Sequence, residues 1–96
     1  MLLLFSRRNN LKNSMIHDTD YLEKYASKLL DKVSKNVIKY RKQRGLSQLE
    51  LAVAIGFSSA AYLGRAELRK NNQHFNIKQL AKIAKVLDID ITLFFK

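Results

Sequence analysis

Residues 47–67 read SQLELAVAIGFSSAAYLGRAE, and this stretch decides the fold. An apolar, helix-forming run stops at Gly56 and resumes at once. Glycine tolerates the left-handed backbone in which many helices end, so Gly56 predicts a stop rather than a weak point in one long helix. The stretch therefore predicts two short helices held at a fixed angle, one over 47–55 and one over 59–67.

The residues around the break support a helix-turn-helix. Ser47 and Glu50 have the spacing of a capping box at the start of the first helix. Ala52 lies four residues before the glycine, where a small side chain lets the second helix approach closely. Ser58 or Ser59 is expected to cap the second helix. Small residues at the contact and a glycine in the turn are typical of two helices packed at a steep angle.

The composition restricts the class of protein. Ninety-six residues suit one domain, and 47% hydrophobic with 27% charged residues is typical of a globular chain. The absence of cysteine excludes disulfides, thiolate zinc sites and cysteine nucleophiles. His17 and His74 lie too far apart in sequence to suggest a metal site. No paired carboxylates, glycine-rich phosphate loop or Ser-His arrangement is visible, so we expect neither an enzyme nor a cofactor.

The net charge is the strongest global signal. The chain has 18 Lys and Arg against 8 Asp and Glu, a formal charge of +10. Such an excess attracts polyanions, although a lysine-rich solvated surface explains it about equally well. Its distribution favours nucleic acid, because residues 37–75 carry only Glu50 and Glu67 as acids. The basic residues in that span are Lys39, Arg41, Lys42, Arg44, Arg65, Arg69 and Lys70.

Residues 1–17 are expected to form a flexible tail. The apolar run Met1 to Phe5 is too short for a secretory signal, and its arginines follow rather than precede it. Met15 is an alternative start, because the periodic pattern begins soon after it. No other segment approaches the length of a membrane span. We therefore expect a cytoplasmic protein without a membrane partner, and the many lysines and asparagines suggest a prokaryotic or phage source.

An N-terminal helix is predicted over residues 18–35. Asp20 and Glu23 have the spacing of a capping box. No glycine or proline follows before Gly45, so this is either one long helix or two helices that meet near Ser34. An apolar stripe runs along it, which favours burial in the core over a dimer seam by roughly two to one. The stripe comprises Leu22, Ala26, Leu29, Val33, Val37 and Tyr40.

The remainder of the chain completes a domain over residues 36–95. Asn76 and Gln79 predict the capped start of another helix, with Leu80, Ile83 and Leu87 on its buried face. The terminal segment ITLFF is expected to seal the core as a fifth helix. No strand pattern is visible anywhere. The predicted fold class is all-α, a compact bundle of five helices that is preceded by the N-terminal helix or an extension of helix 1.

The spacing of these residues resembles the Cro and lambda-repressor (XRE-type) helix-turn-helix family. The resemblance covers residues 36–95, about two thirds of the chain. The segment from Gly56 to Glu67 is one residue longer than is usual in the family, and we place the extra residue in the turn at 57–59. The matching pattern is Arg41-x-x-x-Gly45-Leu46-Ser47-Gln48-x-x-Leu51-Ala52-x-x-Ile55-Gly56, Tyr62-Leu63-x-x-Ala66-Glu67 and Leu80-x-x-Ile83-Ala84-x-x-Leu87.

The resemblance implies roles for particular residues. Arg41 and Glu67 correspond to a structural ion pair between helices. The positions that face DNA bases are Ser59, Ala60, Ala61 and Arg65, and of these only Arg65 has the strong base-reading capacity of a bidentate donor. Gln48, at the first turn of the 47–55 helix, is expected to hold a phosphate. Further phosphate contacts are expected from Arg44, Ser58, Arg69, Lys70 and Asn71.

Two functions remain open from the sequence. The first is a DNA-binding transcriptional regulator, a homodimer of the autoregulatory repressor type, with double-stranded DNA as its partner. The second is an antitoxin-like protein-binding module whose 18–35 helix covers a toxin-like partner, with DNA binding secondary. Burial of the stripe on that helix within the protein would favour the first function, and its exposure would favour the second.

Overall fold

Four α-helices dominate the computed structural model, which describes residues 19–96. They are α1 (Thr19–Gln43), α2 (Gln48–Ala54), α3 (Ala61–Leu68) and α4 (Ile77–Leu87), with 3-10 segments at Lys70–Asn72 and Ile91–Phe95. Residues 19–96 contain no β-strand, and the all-α prediction is confirmed. The predicted count of five α-helices is not confirmed, because the terminal ITLFF forms a 3-10 helix. The expected tail over 1–17 and the alternative start at Met15 lie outside the described residues.

Capping interactions fix where α2 and α4 begin. At α2, the Glu50 N–H donates to Ser47 Oγ at 3.0 Å and the Ser47 N–H donates to Glu50 Oε1 at 2.8 Å. At α4, the Gln79 N–H donates to Asn76 Oδ1 at 2.8 Å and the Asn76 N–H donates to Gln79 Oε1 at 2.9 Å. Of the three capping boxes expected from the sequence, these two are present. They satisfy backbone donors that a helix otherwise leaves without partners.

The turn between α2 and α3 follows Gly56, as expected. Gly56 has a φ of +104°, a conformation that L side chains rarely adopt. Neither Ser58 nor Ser59 is the N-cap of α3 as expected, although Ser59 Oγ accepts from the Ala61 N–H at 3.4 Å. Ala60 occupies the N-cap position without a side-chain hydrogen bond, and α3 begins at Ala61 rather than at 59. The longer turn therefore holds both Ser58 and Ser59 outside the helix.

Helix α1 is continuous from Thr19 to Gln43, so residues 19–35 of the predicted 18–35 helix are an extension of the first helix of the domain. Asp20 lies inside its first turn and not at the expected cap. Only the second half of α1 is built into the core, where Val33 and Val37 are fully buried. The stripe residues before Val33 are exposed, contrary to the core assignment, because the short helices α2 to α4 cover only the second half of α1. These exposed stripe residues are Leu22, Ala26 and Leu29.

The core lies where the second half of α1 meets the other helices. The terminal 3-10 segment closes it through Phe94, which is fully buried and lies edge-on to Tyr40 with ring centroids 6.3 Å apart. Asn36 holds this segment by donating to the Phe94 carbonyl at 2.8 Å. Phe95 is exposed and does not seal the core as expected. The core residues are Val33, Val37, Leu51, Ala52, Ile55, Leu63, Ala66, Phe75, Leu80, Ile83, Ala84, Leu87 and Phe94.

In residues 19–96, no helix is both long enough and apolar enough to cross a membrane.

Candidate nucleic-acid interface

A buried ion pair fixes α3 against α1. Arg41 donates from Nε to Glu67 Oε2 at 2.7 Å and from Nη2 to Glu67 Oε1 at 3.0 Å. The two side chains are only 9% and 1% exposed. A third donor, Arg41 Nη1, reaches the Leu46 carbonyl at 2.9 Å in the loop before α2. Because the guanidinium and carboxylate meet through two parallel bonds, the pair sets orientation as well as distance.

Gln48 braces α2 against α3. Its Nε2 donates to Glu67 Oε1 at 2.9 Å, so Glu67 accepts from α1 and α2 at once. Gln48 also lies across Gly64, where an added Cβ would stand 3.5 Å from Gln48 Oε1. One N–H of the amide that we expected to hold a phosphate is therefore used inside the protein, and the second N–H of the same group remains for another acceptor. The result is a helix pair whose angle is set by one shared carboxylate.

The predicted base-reading residues occupy two different settings. Ala61 and Arg65 lie exposed on α3, one helical turn apart. Ser59 and Ala60 lie in the turn before α3, with Ser59 exposed and Ala60 half-buried. The predicted phosphate ligand Ser58 is exposed in the same turn. One end of α3 and its preceding turn thus carry small side chains, and Arg65 is the long donor beside them.

The side chain of Arg65 is held in place by Gln73. Arg65 donates from Nε to Gln73 Oε1 at 3.1 Å. This bond leaves both terminal nitrogens of the guanidinium for other acceptors. Two parallel donors are what the O6 and N7 acceptors of guanine bind in the major groove. The Gln73 contact therefore restricts the rotamers of Arg65 and leaves Nη1 and Nη2 to bind a base.

Arg69, which we predicted to contact a phosphate, makes several hydrogen bonds inside the protein. It ends α3 in a left-handed conformation, with φ of 56°. Its side chain, 11% exposed, donates from Nε to Asp31 Oδ1 at 2.9 Å and from Nη2 to Ser27 Oγ at 3.0 Å. A further bond runs from Nη1 to the Gln73 carbonyl at 3.0 Å. We call this set the Arg69 clamp, because it ties the first half of α1 to the end of α3.

The other predicted phosphate ligands remain on the surface. Arg44 follows α1 and lies 3.8 Å from the carboxylate of Asp88, with about half of its side chain exposed. An ion pair at that distance and exposure is weak, so Arg44 can exchange Asp88 for another anion. Lys70 and Asn71 lie exposed in the 3-10 segment that follows α3.

The sequence did not reveal Gln73, Asp31 or Ser27 as partners of the two arginines. Their contacts depend on the sharp reversal after α3, where three residues other than glycine have positive φ. Asparagine tolerates this conformation and signals a turn, but it does not specify which side chains the turn brings together. The residues with positive φ in this reversal are Arg69, Asn71 and Asn72.

No group of His, Cys, Asp or Glu side chains in the described part of the chain is arranged to hold a metal ion.

Comparison with known families matches residues 37–94 to a family model described as Helix-turn-helix. Searches of curated proteins and of solved structures found no match. The matched span contains both capping boxes, the Arg41–Glu67 pair and the turn at Gly56.

Proposed function

The chain belongs to the helix-turn-helix family of the Cro and lambda-repressor type, a family of DNA-binding regulators, and from that premise we propose that it is an autoregulatory repressor. It acts by binding rather than by catalysis. Helix α3 enters the major groove, while Arg44, Lys70 and Asn71 contact phosphates on either side.

The observation that carries this proposal is the rigid helix pair beneath an exposed Arg65. Glu67 fixes both helices through bonds to Arg41 and Gln48. A fixed angle between the two helices is what lets the second enter a groove while the first crosses the backbone. Arg65 supplies the strong contact to guanine, whereas Ala61 can touch only a thymine methyl group. With one strong base-reading side chain in each copy, part of the preference comes from DNA shape.

The proposed active form is a homodimer on a two-fold symmetric site. A single module of this kind buries about 600 to 1,000 Å² on DNA, which is little for tight and specific binding. Two copies place two Arg65 side chains about one helical turn of DNA apart. A two-fold symmetric DNA sequence among the preferred sites would therefore indicate that the protein binds as a two-fold symmetric dimer.

Binding to two duplexes tests the function. We would compare the gene's own upstream duplex with a scrambled one, at about 50 and 200 mM salt. We expect a preference of about a hundredfold for the upstream duplex that survives the higher salt. Arg65→Ala should lose the preference, whereas the control Lys82→Ala, on the exposed face of α4, should keep it. Equal binding to both duplexes that collapses with salt would contradict a sequence-specific repressor.

A second function, the antitoxin-like protein-binding module, is supported by one feature of α1. Its first half exposes Leu22 and Leu29, the stripe residues whose exposure favours a protein partner. We propose partner binding beside DNA binding rather than in its place. A variant that loses this stripe and keeps full DNA binding would separate the two roles.

A further inference from the structure

The first half of α1 carries an apolar face that nothing in residues 19–96 covers. Tyr21, Leu22, Tyr25 and Leu29 are 62%, 46%, 64% and 41% exposed. At about 100° per residue the four side chains fall within an arc of about 100°, which places them on one side of the helix. The rings of Tyr21 and Tyr25 lie 6.3 Å apart and form a continuous surface. We call these four residues the α1 stripe.

The α1 stripe is held in a fixed position. An isolated helix of one dozen residues is marginal in water. Here the Arg69 clamp attaches the other side of α1 to the core at Ser27 and Asp31. The clamp side of the helix is thus used for attachment, and the stripe side is presented outward. Contiguous exposed apolar surface of this kind commonly marks a binding site.

A row of lysines borders the α1 stripe. Their spacing of three or four residues places them along one edge of the helix. Lys28 lines a depression of about 400 Å³ together with Tyr21 and Tyr25, and it lines a second one beside Leu29. No acidic side chain of residues 19–96 lines either depression. The row comprises Lys24, Lys28, Lys32, Lys35 and Lys39, all exposed.

The positive charge of the lysine row restricts which kind of molecule can bind the α1 stripe. Asp31, which lines a third depression with Lys28, Lys32 and Lys35, is paired with Arg69. A second copy would bring another lysine row and another formal charge of +10 to the contact, so self-association through this face is disfavoured. Tyr21 and Tyr25 can stack on bases, but Leu22 and Leu29 cannot, which favours a protein over nucleic acid as the occupant of the stripe. Tyrosine is enriched at protein interfaces, where its ring is buried and its hydroxyl stays hydrated.

We propose that the α1 stripe and its lysine row bind an acidic amphipathic helix of a partner protein. Leucine-type side chains of that helix pack on the stripe, and its carboxylates face the lysine row. The proposal deepens the protein-binding function and does not depend on DNA binding. The contact is small, below about 1,200 Å², so binding is expected to be transient.

A designed peptide tests the proposal with the full chain. The probe is a labelled peptide of about three heptads, with leucine at the two seam positions and glutamate at the flanking positions. Its control has lysine in place of every glutamate. Fluorescence anisotropy should show saturable binding of the acidic peptide and none of the basic one. Tyr25→Ser with Leu29→Ser should weaken binding at least about tenfold, as expected for residues at the centre of a contact.

Matched variants separate the possible outcomes. Ile77→Ser with Val86→Ser removes exposed apolar side chains from α4 and should leave peptide binding within about twofold. The Tyr25, Leu29 variant should still bind the DNA duplex, which shows that it is folded and that the two functions fail separately. The proposal would be overturned if the acidic peptide did not bind, or if it bound the Tyr25, Leu29 variant as tightly as the wild-type protein. A dimer that is lost in the Tyr25, Leu29 variant would assign the face to a second copy of the chain. Adsorption to anionic phosphatidylserine vesicles that is lost in the same variant would assign the face to a membrane.

Discussion

Glu67 is the residue on which the geometry of the DNA-binding helices depends, because it is 1% exposed and accepts from both Arg41 and Gln48. Replacing Glu67 with alanine leaves the Arg41 guanidinium buried without its carboxylate. We expect the free energy of unfolding to fall by about 3 to 5 kcal/mol, measured by urea denaturation. The double variant Arg41→Met, Glu67→Leu should cost much less than either single change, because no charge is left unpaired. A loss below about 1 kcal/mol for Glu67→Ala would show a solvated pair.

Gln73 is expected to affect which sequence is bound more than how tightly DNA is bound. Its Oε1 restricts Arg65 through the 3.1 Å bond. Selection from random duplexes should show that Arg65→Ala removes a guanine preference of about 1 to 3 kcal/mol. Gln73→Ala should weaken the same guanine preference partly and leave the preferences at other base positions unchanged. An unchanged guanine preference in both variants would show that Arg65 does not read bases.

At the scale of single elements, the start of α2 couples stability to pH. Hydrogen bonding by the Ser47 backbone N–H, and then by its side chain, lowers the pKa of Glu50 below its ordinary value of 4.5. A lowered pKa in the folded state means stabilisation that is present above pH 4.5 and is lost as the pH falls through the lowered pKa. Glu50→Gln keeps the capping geometry without the charge, so its stability should depend less on pH in that window. Thermal unfolding between pH 2 and 7 measures the difference, and identical slopes for both proteins would contradict it.

The attachment of the first half of α1 depends on the Arg69 clamp. Arg69→Lys keeps the positive charge, but lysine cannot donate to Asp31, Ser27 and the Gln73 carbonyl in the same fork geometry. We expect faster amide hydrogen exchange over residues 19–32, with α4 unchanged as the internal control. DNA affinity should change little at any salt concentration. A large loss of DNA affinity without faster exchange would restore Arg69 as a phosphate ligand.

At the scale of the whole molecule, the charge of +10 predicts binding that is steeply sensitive to salt. If a dimer neutralises about ten phosphates, through Arg44, Lys70 and other basic side chains of each copy, the logarithm of the binding constant falls with the logarithm of salt concentration at a slope near −9. Lys70→Ala removes one exposed contact from each copy and should make the slope shallower by about 2. Lys39→Ala, in the α1 lysine row, should not change the slope. A slope near −4 for the wild-type protein would indicate a monomer on DNA.

The sequence by itself determined the local boundaries of the fold. The two capping boxes and the stop at Gly56 depend on residues within four positions of one another, so their chemistry is complete in the chain itself. The buried faces of α2, α3 and α4 follow from helical periodicity for the same reason. Two helix starts were misplaced. The start of α3 was missed because an extra residue in a turn has no periodic signal, and the cap at Asp20 was wrong because the Asp-x-x-Glu spacing also occurs inside helices.

Tertiary structure alone decided which polar groups remain free and which surface remains exposed. Arg69 and Gln48 looked like surface donors, but their partners Asp31 and Glu67 lie 38 and 19 positions away along the chain. The apolar pattern predicted along α1 is continuous in the sequence, yet Val33 and Val37 are core whereas Leu22, Ala26 and Leu29 are exposed. Helical periodicity in the sequence predicts that a face is apolar. The length and placement of the neighbouring helices determine how much of that face is covered.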